Sequence, residues 1–344
     1  MNKADKILAD KVIANHLLLE RFSAGEKKRV LEILREMQKE LKAKLLTGLT
    51  DFSRARMLKV LNQCTAIINE YYSGIQTKLD LTGLAKTEMD ATQKVLVSIG
   101  IDASVPATSV LKSMISDTLL QGAPLKDWWA KQSDDLAFKF ASQVRQGVAQ
   151  SETLQEIITR IVGSQKKGIA GIMEISWRNA STLVHDSIMQ IANNARMEVY
   201  KANDDINKGY RHLSTLDSRS CLNCAARDGA EWDIDYKPVK GSFQFQNPPI
   251  HANCRCLLLP VLKSYRELGL DVDEMKTGTR ASDLGQVPAD TSFDAFLKRH
   301  DDDYLDELLG PGRANLYRSG KITLRDLVSG DGRVLTLEQL KKAA

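Results

Sequence analysis

Four of the chain's five cysteines fall within residues 221–256, and their spacing limits what the surrounding segment can be. The pattern is Cys221-x-x-Cys224, a long intervening stretch, and then His251-x-x-Cys254-Arg255-Cys256. Zinc takes four sulfur or nitrogen ligands in a tetrahedron, and two compact donor groups joined by a variable loop supply them with little ordering cost. Cys221, Cys224 and Cys254 are assigned as ligands; His251 and Cys256 compete for the last position. Disulfides are the other use of such a cluster, but an intracellular chain keeps its thiols reduced, which favours metal. A thioredoxin-like redox pair at Cys221 and Cys224 is disfavoured, because the motif follows Asp217-Ser218-Arg219-Ser220 and not a buried strand. Cys64 stands alone in an apolar helical pattern and reads as a buried structural thiol.

A catalytic zinc would keep an open position and a nearby general base. Ala252 and Asn253 follow the histidine, so the His-x-Glu of nucleobase deaminases is missing, as is His-Glu-x-x-His. The sequence has no phosphate-binding Gly-x-x-x-x-Gly-Lys loop and no Gly-x-Ser-x-Gly elbow. The expected site is therefore closed and structural, one zinc ion on four of the five candidates, and the chain is read as a non-enzyme. Asp301, Asp302 and Asp303 read as an acidic helix start. His16, His185, His212 and His300 read as scattered surface or core residues.

The cluster sits late in a chain of 344 residues, for which two or three domains are expected. Before it, helical periodicity dominates. Ser23 and Glu26 have capping-box spacing, and Val30, Leu34, Met37, Leu41 and Leu45 then form one apolar stripe. The opposite face mixes Lys27, Lys28, Arg29, Arg35, Lys39, Lys42 and Lys44 with Glu32, Glu36 and Glu40, as a solvated face does. Further helices are predicted up to Tyr71 or Tyr72, around Lys86 to Val97, and from Ser133 to Val148. Another is opened by Ser151 and closed by Gly163, and a long one runs from Ile172 to about Tyr200. Short strands are predicted at Tyr210–Leu216 and Cys256–Leu259, with mostly loop from Lys237 to Ile250. A short helix at Lys263–Leu268, a polar linker from Asp271 to Asp290 and a tail with helix starts at Ser292, Thr323 and Thr336 complete the chain. The fold class is mainly α with a small α+β zinc-stapled module. Its expected divisions are an N-terminal helical region (1–130), a region (131–265) holding the Cys/His motif (209–260), a linker (266–290) and a helical tail (291–344).

A formal net charge of +4 is too small to argue for a dedicated nucleic-acid binder. No apolar run approaches the roughly 18 residues of a membrane span, and the start of the chain carries charges where a signal peptide would be apolar.

The segment from Leu216-Asp217-Ser218-Arg219-Ser220-Cys221-Leu222-Asn223-Cys224 through Asp228-Gly229, with Pro248-Pro249-Ile250-His251-Ala252-Asn253-Cys254-Arg255-Cys256, resembles the phage head morphogenesis family, the minor head proteins similar to protein F of phage Mu. Ala252 departs from that pattern, where a proline more often follows the histidine. Arg178–Asn203 looks like the helix that precedes the motif in such proteins, and the tail from Phe293 to Val328 like the ending of one branch. The resemblance implies a minor structural protein of a tailed phage or prophage, inside the head or at the portal vertex. Its implied partners are the portal protein and major capsid or scaffolding proteins, with packaged DNA as a further contact. Its location would be the virion, with the host cytoplasm during assembly. It also marks Asp217, Asp228, Gly229, Pro248, Pro249 and Arg255 as motif residues. Two rivals stand beside it: a metal-dependent or nucleotide-using enzyme carried in the virion, and a zinc-ribbon nucleic-acid-binding protein. An ordered loop could also present Trp232, Phe243 and Phe245 to a partner, or pack them locally.

Overall fold

The computed structural model describes residues 3–164, 168–264, 267 and 278–343, and they are mainly helical. The first helix, α1 (Lys3–Gly48), is followed by α2 (Arg54–Lys78), α3 (Leu81–Val97) and α4 (Thr108–Asp117). A two-stranded ribbon, β1 (Leu119–Leu120) and β2 (Ala123–Pro124), leads into α5 (Leu125–Ala149) and α6 (Leu154–Val162). A second ribbon, β3 (Gly163–Ser164) and β4 (Ile169–Ala170), precedes α7 (Ile172–Lys201). No described helix is long and apolar enough to cross a membrane.

The predicted stripe on α1 holds, since Val30, Leu34, Met37, Leu41 and Leu45 are all buried. The predicted cap at Ser23 does not form, because the helix runs unbroken from Lys3 to Gly48. Leu8, Val12, His16, Leu19, Ser23, Glu26 and Val30 are all buried and follow one another at steps of three or four. Ser23 and Glu26 therefore lie on the inward face of a continuing helix, and their spacing reflects that face, not a terminus. At α6 the capping box belongs to Thr153 and Glu156, two residues beyond the expected Ser151, while Gly163 closes the helix at φ +84° as expected.

The chain clusters into two compact units. One comprises residues 20–81 and 115–188, the other residues 1–19, 82–114 and 189–344. In the first, α2 packs along α5. Tyr72 stands 6.2 Å from Trp129, ring to ring, and its hydroxyl pairs with Ser176 Oγ at 2.5 Å. Cys64 is buried here, and burial pushes its thiol up to about 12, as an inert structural residue requires. His185 is buried between Asp186 (3.1 Å) and Glu20 (3.4 Å).

The second unit holds the α+β part. Its sheet has the order β7-β6-β5-β8, all antiparallel: β5 (Asn207–Leu213) is central between β6 (Glu231–Asp233) and β8 (Leu257–Leu262), with β7 (Pro238–Lys240) outside β6. Both predicted strands exist, with bounds shifted by one to three residues. Gly209 is required where β5 meets β6, since a Cβ there would lie 2.1 Å from the Trp232 carbonyl oxygen. Between β5 and β6 lies α8 (Leu222–Arg227). Half of the expected helix at 263–268 falls outside the described residues, as does the first part of the expected linker, up to 277. The linker's described end forms a hairpin, β9 (Thr279–Ser282) with β10 (Gly285–Pro288). The remaining elements are α9 (Phe293–Leu297), α10 (Asp302–Leu309), α11 (Pro311–Arg318), a 3-10 turn (Arg325–Leu327) and α12 (Leu337–Ala343). Ser292 and Asp301 cap α9 and α10, and Thr336 with Gln339 caps α12, as their spacing predicts. One core joins these pieces: Tyr200 of α7, Tyr210 of β5, Trp232 of β6, Phe243, and Phe293, Phe296 and Leu327 of the tail.

Candidate metal centre

Three short pieces of chain assemble the cysteine and histidine cluster. Cys221 is the N-cap residue of α8, and its sulfur accepts the Cys224 backbone N–H at 3.5 Å. That geometry turns both sulfurs toward one side of the helix start. His251 and Cys254 share the turn after the cis Pro248–Pro249 bond, where the Cys254 N–H donates to the His251 carbonyl at 3.2 Å. Asn253 takes φ +57° in that turn, a left-handed conformation that asparagine tolerates better than most residues. Cys256 immediately precedes β8, and its sulfur is 3.8 Å from Ser214 Oγ at the end of β5.

His251 Nε2 lies 3.2 Å from Cys221 Sγ and 3.0 Å from Cys224 Sγ, and Cys224 Sγ lies 3.9 Å from Cys254 Sγ. Tetrahedral zinc with bonds of about 2.3 Å to sulfur and about 2.0 Å to nitrogen sets its ligand atoms about 3.5–3.8 Å apart. The observed separations bracket that range. All four cysteines are free thiols, and 3.9 Å is far beyond the roughly 2.05 Å of a disulfide. Cys221 is exposed and His251 half-buried, while Cys224, Cys254 and Cys256 are buried. Cys221, Cys224 and His251 lie close enough together to hold a metal ion, and Cys224 and Cys256 do so with His212.

The groups also share protons unevenly. Hydrogen bonding with Cys224, and then with His251, pulls the Cys221 thiol down to about 4 against the opposing effect of burial. The Cys221 and Cys254 sulfurs push His251 up to about 11. So many thiols in one pocket cannot all ionise without a compensating cation, and a divalent ion bound to the sulfurs supplies one.

The motif residues hold the turns in place. Arg255 reaches Asp217 with both terminal nitrogens, at 2.6 and 2.7 Å, a partner the sequence does not announce. Burial raises the Asp217 carboxyl, but the Arg255 hydrogen bonds outweigh it and the pKa is lowered. The Asp228 side chain is buried and joins three segments: it accepts from the Ser214 N–H at 2.9 Å, from Arg280 at 2.8 Å and from the Phe293 N–H at 2.8 Å. Gly229 follows at φ +75° and donates its N–H to the His212 carbonyl. The Pro248 carbonyl accepts Asn193 Nδ2 of α7 at 3.0 Å, which ties the proline pair to the long helix.

Of the two readings of the loop aromatics, local packing holds: Trp232 and Phe243 are buried, with Trp232 Nε1 donating to the Phe243 carbonyl at 2.7 Å, and Phe245 stacks on Tyr236. One reading needs adjustment. His212, read as one scattered histidine among several, lies at the cluster: its ring and the sulfurs of Cys224 and Cys256 are within 4.8 Å of one another. A histidine in the strand leading to Cys-x-x-Cys was the signal available. Arg280 and Arg227 were not singled out either. Arg227 is buried, bonds Asn223 and the Gln244 carbonyl, and lies over the Phe243 ring.

Residues 139–259 match the family model described as phage Mu protein F like protein. No curated protein and no solved structure matches the chain. The matched stretch begins inside α5 and ends inside β8, taking in α7 and both halves of the cluster but not the elements from β9 onward. Over that stretch the resemblance read from the motif holds: residues 139–259 are similar to the phage Mu protein F like proteins, which supports a phage head morphogenesis family.

Proposed function

We propose that this protein is a minor head protein of a tailed phage or prophage, acting in head morphogenesis at or inside the portal vertex and not as an enzyme. The family match over residues 139–259 carries the reading, because the matched stretch contains the whole cluster and the helix that supports it. In this account Cys221, Cys224, Cys254 and His251 hold a structural zinc ion. His251 is preferred to Cys256 for that set because its Nε2 stands against two of the sulfurs. Zinc would supply four fixed, redox-inert bonds there. The chain's own residues do the rest: Asp228 and Arg227 shape the loop between the two donor groups, and Asp217 with Arg255 locks its end. Both motif carboxylates are already engaged by arginines, which supports a structural over a catalytic centre.

The expected partners are the portal protein and major capsid or scaffolding proteins, with packaged DNA a secondary contact, in the virion head and in the host cytoplasm during assembly. With Trp232 and Phe243 buried, Ile234 and Val239 at the β6–β7 hairpin are exposed apolar groups of this module that such a partner could cover. Co-expression with the portal and the major capsid protein, followed by capture at low and high salt, tests this. Retention by the portal at both salts, weakened by Val239→Glu, is expected. Capture by nucleic acid alone, falling steeply with salt, would replace the reading with a nucleic-acid-binding module.

A further inference from the structure

A second set of metal-ligating atoms lies against the first. His212 of β5, Cys224 of α8 and Cys256 at the head of β8 bring one ring nitrogen and two sulfurs within 4.8 Å, and all three residues are buried. His212 is fully buried, and neither of its ring nitrogens has a hydrogen-bond partner among the described residues. Native cores rarely keep a polar ring in that condition without a ligand to satisfy it. Cys224 belongs to both sets. Cys254 stands between them too, with its sulfur 3.9 Å from Cys224 and in hydrogen-bond contact with both Cys256 and His251.

We infer that the cluster is a two-metal site for divalent ions of the zinc class. The outer ion takes Cys221, His251, Cys224 and Cys254. The inner ion takes His212, Cys256, Cys224 and Cys254, so that the last two thiolates are shared. This rests on the metal reading above and extends it. Six donors with two of them shared give each ion four ligands, the number a closed zinc site requires. Charge supports the arrangement, since two divalent ions cancel four thiolates while neutral imidazoles add nothing. A single ion on Cys221, Cys224, Cys254 and His251 would leave a surplus negative charge, and would leave Cys256 and His212 buried beside it with nothing bound. Loading leaves four thiolates and two neutral imidazoles, and the protons released to solvent come from the cysteines that are still thiols and from the His251 imidazolium.

Native mass spectrometry of the full chain, loaded with zinc and desalted, counts the ions directly. Two ions per chain are expected, falling to one in His212→Gln. One ion in both proteins overturns the two-metal inference and leaves the staple standing. No retained ion overturns both. Two ions in both proteins removes His212 from the inner set and overturns the assignment. Should His212→Gln fail to fold, cadmium-113 NMR of the cadmium-loaded native chain decides: two resonances support the inference and a single one contradicts it.

Discussion

The helical unit of residues 20–81 and 115–188 and the module built on β5 to β8 are ordered by different chemistry. In the helical unit the ordering groups are apolar side chains at helical spacing: Leu34, Leu41, Leu61, Ile68, Phe140 and Val144 are all buried, and each is announced by its neighbours three and four residues away. In the module the sheet is short, and its turns and loops are positioned by polar devices that draw on distant residues. Asp228 reaches Arg280 and Phe293, Asn193 reaches Pro248, and Arg255 reaches Asp217. An amphipathic unit degrades gradually as its contacts are trimmed. A unit that depends on a few buried polar joints and a metal cluster loses its shape when one joint is removed.

The largest effect expected is that of Cys224→Ser, because Cys224 is the donor shared by every arrangement of the cluster. Structural zinc contributes on the order of 10 kcal/mol in small metal-dependent domains, so the module should fail to order while the helical unit keeps its helicity. Circular dichroism with limited proteolysis mapped by mass spectrometry checks this. If cleavage spreads evenly over both regions, the contrast between them fails.

Asp228→Ala comes next. It strands the buried Arg280 guanidinium and two backbone N–H groups, and should cost about 3–5 kcal/mol in denaturant unfolding. Asp228→Asn keeps part of the hydrogen bonding but not the charge, and should fall between. In the helical unit, Leu34→Ala should cost about 2–5 kcal/mol by opening a cavity, with metal content unchanged. That variant sharpens the comparison, because the loss should leave the cluster intact by metal analysis. The smallest effect is that of Thr153→Ala, which removes the capping box of α6 and should cost about 1 kcal/mol.

The same contrast explains what was readable in advance. The stripe from Val30 to Leu45 and the span of α7 were legible, since burial on a helix repeats at a fixed period. The length of α1 was not, because Ser23 and Glu26 have the spacing of a cap while occupying the buried face of an unbroken helix. The two donor groups of the cluster were legible as local spacing. His212 was not, because only the pairing of β5 with β8 brings it to Cys256. Arg280, 52 positions after Asp228, was lost in a stretch read as linker. The loop aromatics show a further limit. Without period the spacing leaves packing and exposure both open, and Trp232 and Phe243 prove buried in a core that the tail residues Phe293, Phe296 and Leu327 also build. Phe243 is further covered by the Arg227 side chain.

The most direct test is hydrogen exchange on the full chain, before and after treatment with a strong zinc chelator, read peptide by peptide. The account predicts that residues 207–262 lose protection by at least tenfold, and that α2, α5 and α6 keep theirs. Unchanged protection in the module, with metal analysis showing that the ion had been present and was removed, would contradict it.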